Sequence, residues 1–191
     1  MLESINQLDR ELFLFLNSLG NTTWDPFWLL VTEKWTALPL YAFLLYLIFK
    51  KFGIKGAIIT AILIALLITA TDQLANVFKH SFERPRPCGQ EGVMEYARFV
   101  AERCGRFGYF SAHASNSTGV AIFLGIILKK YYPRLIYFLL IWAIFVSYSR
   151  IYLGVHYPGD ILTGIFIGAI FGFLFSWFHA YLFRRFRVPV L

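Results

Sequence analysis

Charge is scarce in this sequence. Only 15% of its 191 residues are charged, against 58% hydrophobic and 19% aromatic, which leaves too little polar surface to cover a soluble domain of this size. Acidic residues are the scarcer sign, 11 against 18 lysines and arginines, for a formal charge of +7. That surplus does not indicate a nucleic-acid partner, because the basic residues sit in short clusters between apolar runs, where they act as topology signals. Residues Met1 to Gly20 lack a basic segment followed by a continuous apolar core, so no cleaved signal peptide is expected. Cysteine is nearly absent as well, and no cluster has convincing metal-ligand spacing, so no metal or other cofactor is expected.

What remains is a helical membrane protein. A crossing needs roughly 20 apolar residues, so the length accommodates an all-α bundle of about five transmembrane helices, read as a single domain over residues 1–191. Leu2, Ile5, Leu8, Leu12, Phe15, Leu16 and Leu19 recur at helical spacing, with Glu3, Asp9, Arg10 and Glu11 off the stripe. This pattern predicts an amphipathic interfacial helix over 1–20. Spans are predicted over 24–49 (interrupted by Glu33 and Lys34), 58–77, 114–128, 135–148 and 161–183, which puts the termini on opposite sides.

Orientation follows from the basic clusters. Lys50, Lys51 and Lys55, then Lys129, Lys130 and Arg134, then Arg184, Arg185 and Arg187 fall on one side with no acidic residue among them. By the positive-inside rule that side is cytoplasmic. The segments 79–113 and 149–160 therefore face outward, to the periplasm or cell exterior if the membrane is a bacterial inner membrane. Cys88 and Cys104 both fall in the outward loop. Two free thiols or a disulfide are open readings, and an oxidising compartment favours the disulfide.

Three polar clusters are predicted to meet at the outward face. The first runs from Lys79 to Pro87 and includes Arg86; the second is Phe110-Ser111-Ala112-His113; the third holds Ser149, Arg150, His156 and Asp160. Single cations at a membrane boundary are commonly snorkelling anchors. Lys79, Arg86 and Arg150 together, with Ser111 and a helix N-terminus, supply what a tetrahedral oxyanion requires. His156 and Asp160 stand four apart, so a helical turn lets the carboxylate hold one ring nitrogen and leave the other free to attack phosphorus. His113 remains for general acid catalysis. Gly164, Gly168 and Gly172 continue the Asp160 row as a ridge permitting close helix approach, which turns that face inward. His80 and His179 read as interface or packing residues.

Taken together, these residues resemble the signature of the type-2 phosphatidic acid phosphatase family. Lys79 with Arg86-Pro87 matches its first element, and Ser149-Arg150, His156 and Asp160 match its third in full. The middle element, usually Pro-Ser-Gly-His, is Phe110-Ser111-Ala112-His113 in this chain, which keeps the hydroxyl and the imidazole and loses the proline and glycine. The resemblance implies a metal-independent lipid phosphatase with Lys79, Arg86, Ser111 and Arg150 binding phosphate, His113 as acid, His156 as nucleophile and Asp160 orienting it. Undecaprenyl diphosphate is the expected substrate, with phosphatidylglycerophosphate, phosphatidic acid and lipid A phosphate as alternatives. A vanadate-dependent peroxidase and a non-enzymatic lipid transporter or scaffold are the competing classes, and oligomeric state is not legible.

Overall fold

A computed structural model describes residues 2–188; the remaining terminal residues and the side chains of Leu2 and Lys34, both named above, lie outside the described set. The chain forms α1 (Leu2–Ser18), α2 (Asp25–Thr32), α3 (Leu38–Phe82), α4 (Ala112–Leu128), α5 (Leu135–Tyr152) and α6 (Pro158–Arg185), with short 3-10 turns before α3 and after Arg86. α3, α5 and α6 are long and apolar enough to cross a membrane, and α4 is a shorter apolar helix.

α3 is two crossings. A straight helix of 45 residues would run about 68 Å, twice the bilayer's hydrocarbon thickness. Gly53 breaks it, with φ 61° and ψ −174°, a conformation essentially restricted to glycine. The arms 38–52 and 54–82 fold back on each other. Tyr41 and Leu44, before the break, meet Val120 and Ala121 of α4, while Leu67, after it, lies against Gly119. The predicted span over 24–49 is corrected by this arrangement. The backbone turns extended at Glu33, where α2 ends, so α2 is a separate short helix and the first crossing begins after it.

The main core fills the space between these arms and α4–α5, through Leu44, Leu47, Ile48, Leu63, Leu67, Phe123, Leu124 and Leu139. Large apolar side chains such as Phe43, Ile62, Ile141, Phe166 and Trp177 point outward, as expected where lipid covers the surface. The basic clusters share one end: Lys55 Nζ donates to the Phe186 carbonyl at 2.9 Å, and Lys51 lies over the Tyr131 ring.

α6 packs against α4 backbone to backbone. A Cβ built on Gly164 would stand 2.6 Å from the Ser111 carbonyl oxygen, one on Gly168 2.3 Å from that of Ser115, and one on Gly172 2.8 Å from that of Gly119. Each contact is closer than any side chain tolerates, so the ridge fixes both the distance and the register of the two helices.

α1 has two faces. Ile5, Leu8, Leu12, Phe15 and Leu19 are exposed, as a lipid-facing stripe requires. Phe13 and Asn17, on another side, are buried, and Asn17 Nδ2 donates to the carbonyls of Arg98, Ile151 and Tyr152 at 3.0–3.1 Å. The interfacial helix is therefore also a docked one.

Candidate active site

The three polar clusters gather at the end of the bundle opposite the basic residues. Lys79 lies in the last turn of α3, which ends at Glu83 in the left-handed conformation. The chain then runs extended through Pro85, bridged to Phe107, and Arg86 Nε donates to the Phe107 carbonyl at 3.0 Å. A Cβ on Gly108 would lie 3.1 Å from Arg86 Cγ, 3.2 Å from Asp160 Oδ2 and 3.7 Å from His156 Nδ1. Arg86, Asp160 and His156 thus converge beneath one glycine, where a side chain would press on Arg86 and Asp160.

His156 and Asp160 are both buried, at 2% and 0% exposure. His156 Nδ1 lies 3.3 Å from Asp160 Oδ2, which also accepts from the Tyr157 amide at 3.0 Å. Pro158 at the start of α6 sets the turn that brings the two together. Burial pushes the His156 imidazole down to about 4; the charge of Asp160 opposes this and those of Arg86 and Arg150 add to it. The ring is therefore neutral at physiological pH, with Nδ1 held by the carboxylate.

Ser111 is fully buried and caps α4, its Oγ accepting from the Ala114 amide at 3.4 Å, while its own amide donates to the Asp160 carbonyl at 3.0 Å. Its hydroxyl hydrogen is left to donate. His113, in the first turn of α4, is half-buried. Arg150 Nη1 donates to Thr32 Oγ1, and among the described residues its buried Nε has no hydrogen-bond partner. Lys79 feels the charges of Arg86, Asp72, Arg150 and Asp160, so cations drawn from two distant stretches of sequence share one electrostatic neighbourhood. A cleft of about 500 Å³ between α2 and residues 101–103 reaches this group at Arg150. Cys88 and Cys104 are disulfide-bonded, with Cα atoms 5.9 Å apart.

Sequence reasoning missed five participants. Arg84 bridges Asp160 Oδ1 at 2.7 Å and Asp9 Oδ2 at 2.6 Å, and Asp9 Oδ1 accepts from the Gly159 amide at 2.7 Å. Thr32 holds Arg150. Asn116 donates to Asp72 at 2.8 Å, tying α4 to α3 just below Lys79. For Asp9 a signal existed: Asp9, Phe13 and Asn17 repeat at four-residue spacing beside the apolar stripe. Among the described residues no group of three or more His, Cys, Asp or Glu side chains converges to hold a metal ion.

A membrane helix bundle that sets cations around a carboxylate-held histidine at one end is built for phosphate-ester chemistry on lipids. A profile of the PAP2 superfamily matches residues 56–184, and the chain belongs to that family; it is a membrane lipid phosphatase of bacterial type. It is 39% identical over 178 residues, 92% of this chain and 78% of the relative, to lipid A 4'-phosphatase of Bacteroides thetaiotaomicron. To lipid A 4'-phosphatase of Porphyromonas gingivalis it is 36% identical over 193 residues, 97% and 78% of the respective chains. Its fold is similar to the crystal structure of a transmembrane PAP2 type phosphatidylglycerolphosphate phosphatase from Bacillus subtilis, with TM-score 0.72 at 20% identity over 92% of this chain and 86% of that one.

Proposed function

We propose that this chain is a lipid A phosphatase acting at the 4' position, at the outer face of a bacterial inner membrane. The observation that carries the chemistry is the His156–Asp160 pair: with Nδ1 held by the carboxylate, the Nε2 lone pair is available to phosphorus. The substrate assignment rests on similarity to two lipid A 4'-phosphatases along nearly the whole chain. It displaces undecaprenyl diphosphate, the expectation from sequence, as the first substrate to test.

In the proposed reaction, Arg86, Arg150, Lys79 and the Ser111 hydroxyl bind the phosphate oxygens, and the substrate gives the buried Arg150 Nε an acceptor. His156 Nε2 attacks phosphorus as the bond to the sugar oxygen breaks, and His113 donates a proton to that oxygen. Water, deprotonated by His113, then attacks the phosphohistidine; the P–N bond breaks and inorganic phosphate leaves. No metal takes part in these steps.

The test is phosphate release by purified protein from lipid A, undecaprenyl diphosphate, phosphatidylglycerophosphate and phosphatidic acid, compared by kcat/KM with and without EDTA. Lipid A is expected to lead, with product lacking the 4' phosphate, EDTA without effect, and His156→Ala inactive. A preference for another member of the panel, or a label trapped on a residue other than His156, overturns the corresponding part.

A further inference from the structure

Asp160 has two carboxylate oxygens and uses both. Oδ2 faces His156 Nδ1 and the Tyr157 amide, while Oδ1 accepts from Arg84 Nη1 at 2.7 Å. The other terminal nitrogen of Arg84 donates to Asp9 Oδ2 at 2.6 Å. One planar guanidinium is thus clamped between a carboxylate of α6 and a carboxylate of α1. Its plane is further held over the Tyr157 ring, 4.5 Å from the centroid, and that ring in turn meets Phe13 of α1 edge-on at 5.4 Å. Asp9 touches the same turn a second time through the Gly159 amide, one residue before Asp160.

We propose that Asp9 and Arg84 are positioning residues for the reaction, and that α1 reaches His156 through the chain Asp9, Arg84, Asp160. The inference rests on His156 being the nucleophile. The physical reason is directional. A carboxylate bonded only at Oδ2 is free to rotate about its Cβ–Cγ bond and carry the imidazole with it; a fork donor at Oδ1 removes that freedom. A guanidinium gripped at both ends supplies a donor of fixed direction, whereas one gripped at a single end swings. The side chains of Arg84 and Asp9 are 21% and 12% exposed, buried enough for the pair to resist screening. Because the opposite face of α1 is exposed and apolar, seating of this helix against lipid and orientation of the nucleophile become one structural event.

The experiment uses the full chain, purified, with Asp9→Ala, Asp9→Asn, Asp9→Glu, Arg84→Gln and Arg84→Lys, and reads kcat, KM and thermal unfolding separately. Asp9→Asn is the informative variant, since it retains an acceptor for the Gly159 amide and loses the charge that grips Arg84. Asp9→Asn and Arg84→Gln are expected to lower kcat roughly 10- to 100-fold, the usual cost of removing a group that orients a reacting ligand. KM should stay within about twofold, because neither residue is assigned to the phosphate-binding set, and the rate of phosphohistidine formation should fall in parallel with kcat. Asp9→Glu should recover part of the loss. Folded Asp9→Asn with unchanged kcat overturns the proposal, as does a loss expressed wholly in KM or tracking the fall in unfolding temperature. Should Asp9→Ala fail to fold, Asp9→Asn and Arg84→Lys decide by the same criteria. His156→Ala in the same series separates the two readings: activity there removes the nucleophile assignment itself, whereas inactive His156→Ala beside fully active Asp9→Asn removes only the role of α1.

Discussion

At the scale of single residues, His156 combines two demands that oppose each other in water. A nucleophilic imidazole must be unprotonated, and it must sit beside a carboxylate, which ordinarily raises its pKa. Burial settles the conflict by penalising the charged ring more than Asp160 favours it, and Arg86 and Arg150 add to the penalty. With the imidazole lowered to about 4 and an unfolded value near 6.5, the unfolded chain takes up this proton first as pH falls. The stability associated with the neutral ring is therefore present above about pH 6.5 and lost as pH falls toward 4. Nitrogen-resolved NMR of histidine-labelled protein without substrate is expected to show His156 titrating near pH 4. Titration near 6.5 would mean that the ring is solvated and that the burial described above does not hold in the membrane.

At the scale of helices, the contact between α4 and α6 is the most demanding in the molecule. Glycine costs roughly 1 kcal/mol relative to alanine in a helix interior, so three of them four residues apart make sense only if the helices touch through their backbones. Gly168→Leu is expected to destabilise by roughly 1–3 kcal/mol or more and to depress phosphate release as well, because Ser111 and Asp160 are registered by the same ridge. Phe166→Leu, two residues away on the exposed face, serves as the control and should leave both thermal unfolding and turnover near the parent values. If Gly168→Leu behaves like the control, the helices are farther apart than described.

The helices also mark where the sequence was legible. Hydropathy located every crossing after the first, because lipid and protein interior both select apolar side chains, but it ran the first one back through α2; the glycine row was visible because small residues at fixed spacing have few other uses in a span. The same indifference hid the inward face of α1. An apolar stripe looks alike whether it meets lipid or a neighbouring helix, and Asp9 beside Arg10 and Glu11 looks like part of a solvated face. The partners of Arg84 lie 75 and 76 positions away in sequence, a pairing created by tertiary structure alone. The reversal at Gly53 was legible too: the spans predicted over 24–49 and 58–77 leave Lys50, Lys51 and Lys55 between them, and Gly53 stands in that gap.

For the whole molecule, orientation is the property on which the function rests. The basic clusters define one end and the His156 site the other, so a single measurement addresses both. In a chain whose native cysteines are replaced by serine, a cysteine introduced at Glu91 should react with a membrane-impermeant thiol reagent in intact spheroplasts. One introduced at Lys130 should react only after permeabilisation. The reverse pattern would place the phosphatase site in the cytoplasm, away from any lipid presented at the outer leaflet.

The glycine ridge has one more consequence, for motion. With the carbonyls of Ser111, Ser115 and Gly119 resting against glycines of the facing helix, the slab that leads to His113 and His156 cannot slide without atomic collision and loses its closest packing if it parts. The other wall is assembled differently: α1 meets the slab at the turn before α6 through the Asp9–Arg84–Asp160 ion pairs and the Phe13–Tyr157 rings, and α2 packs on α5.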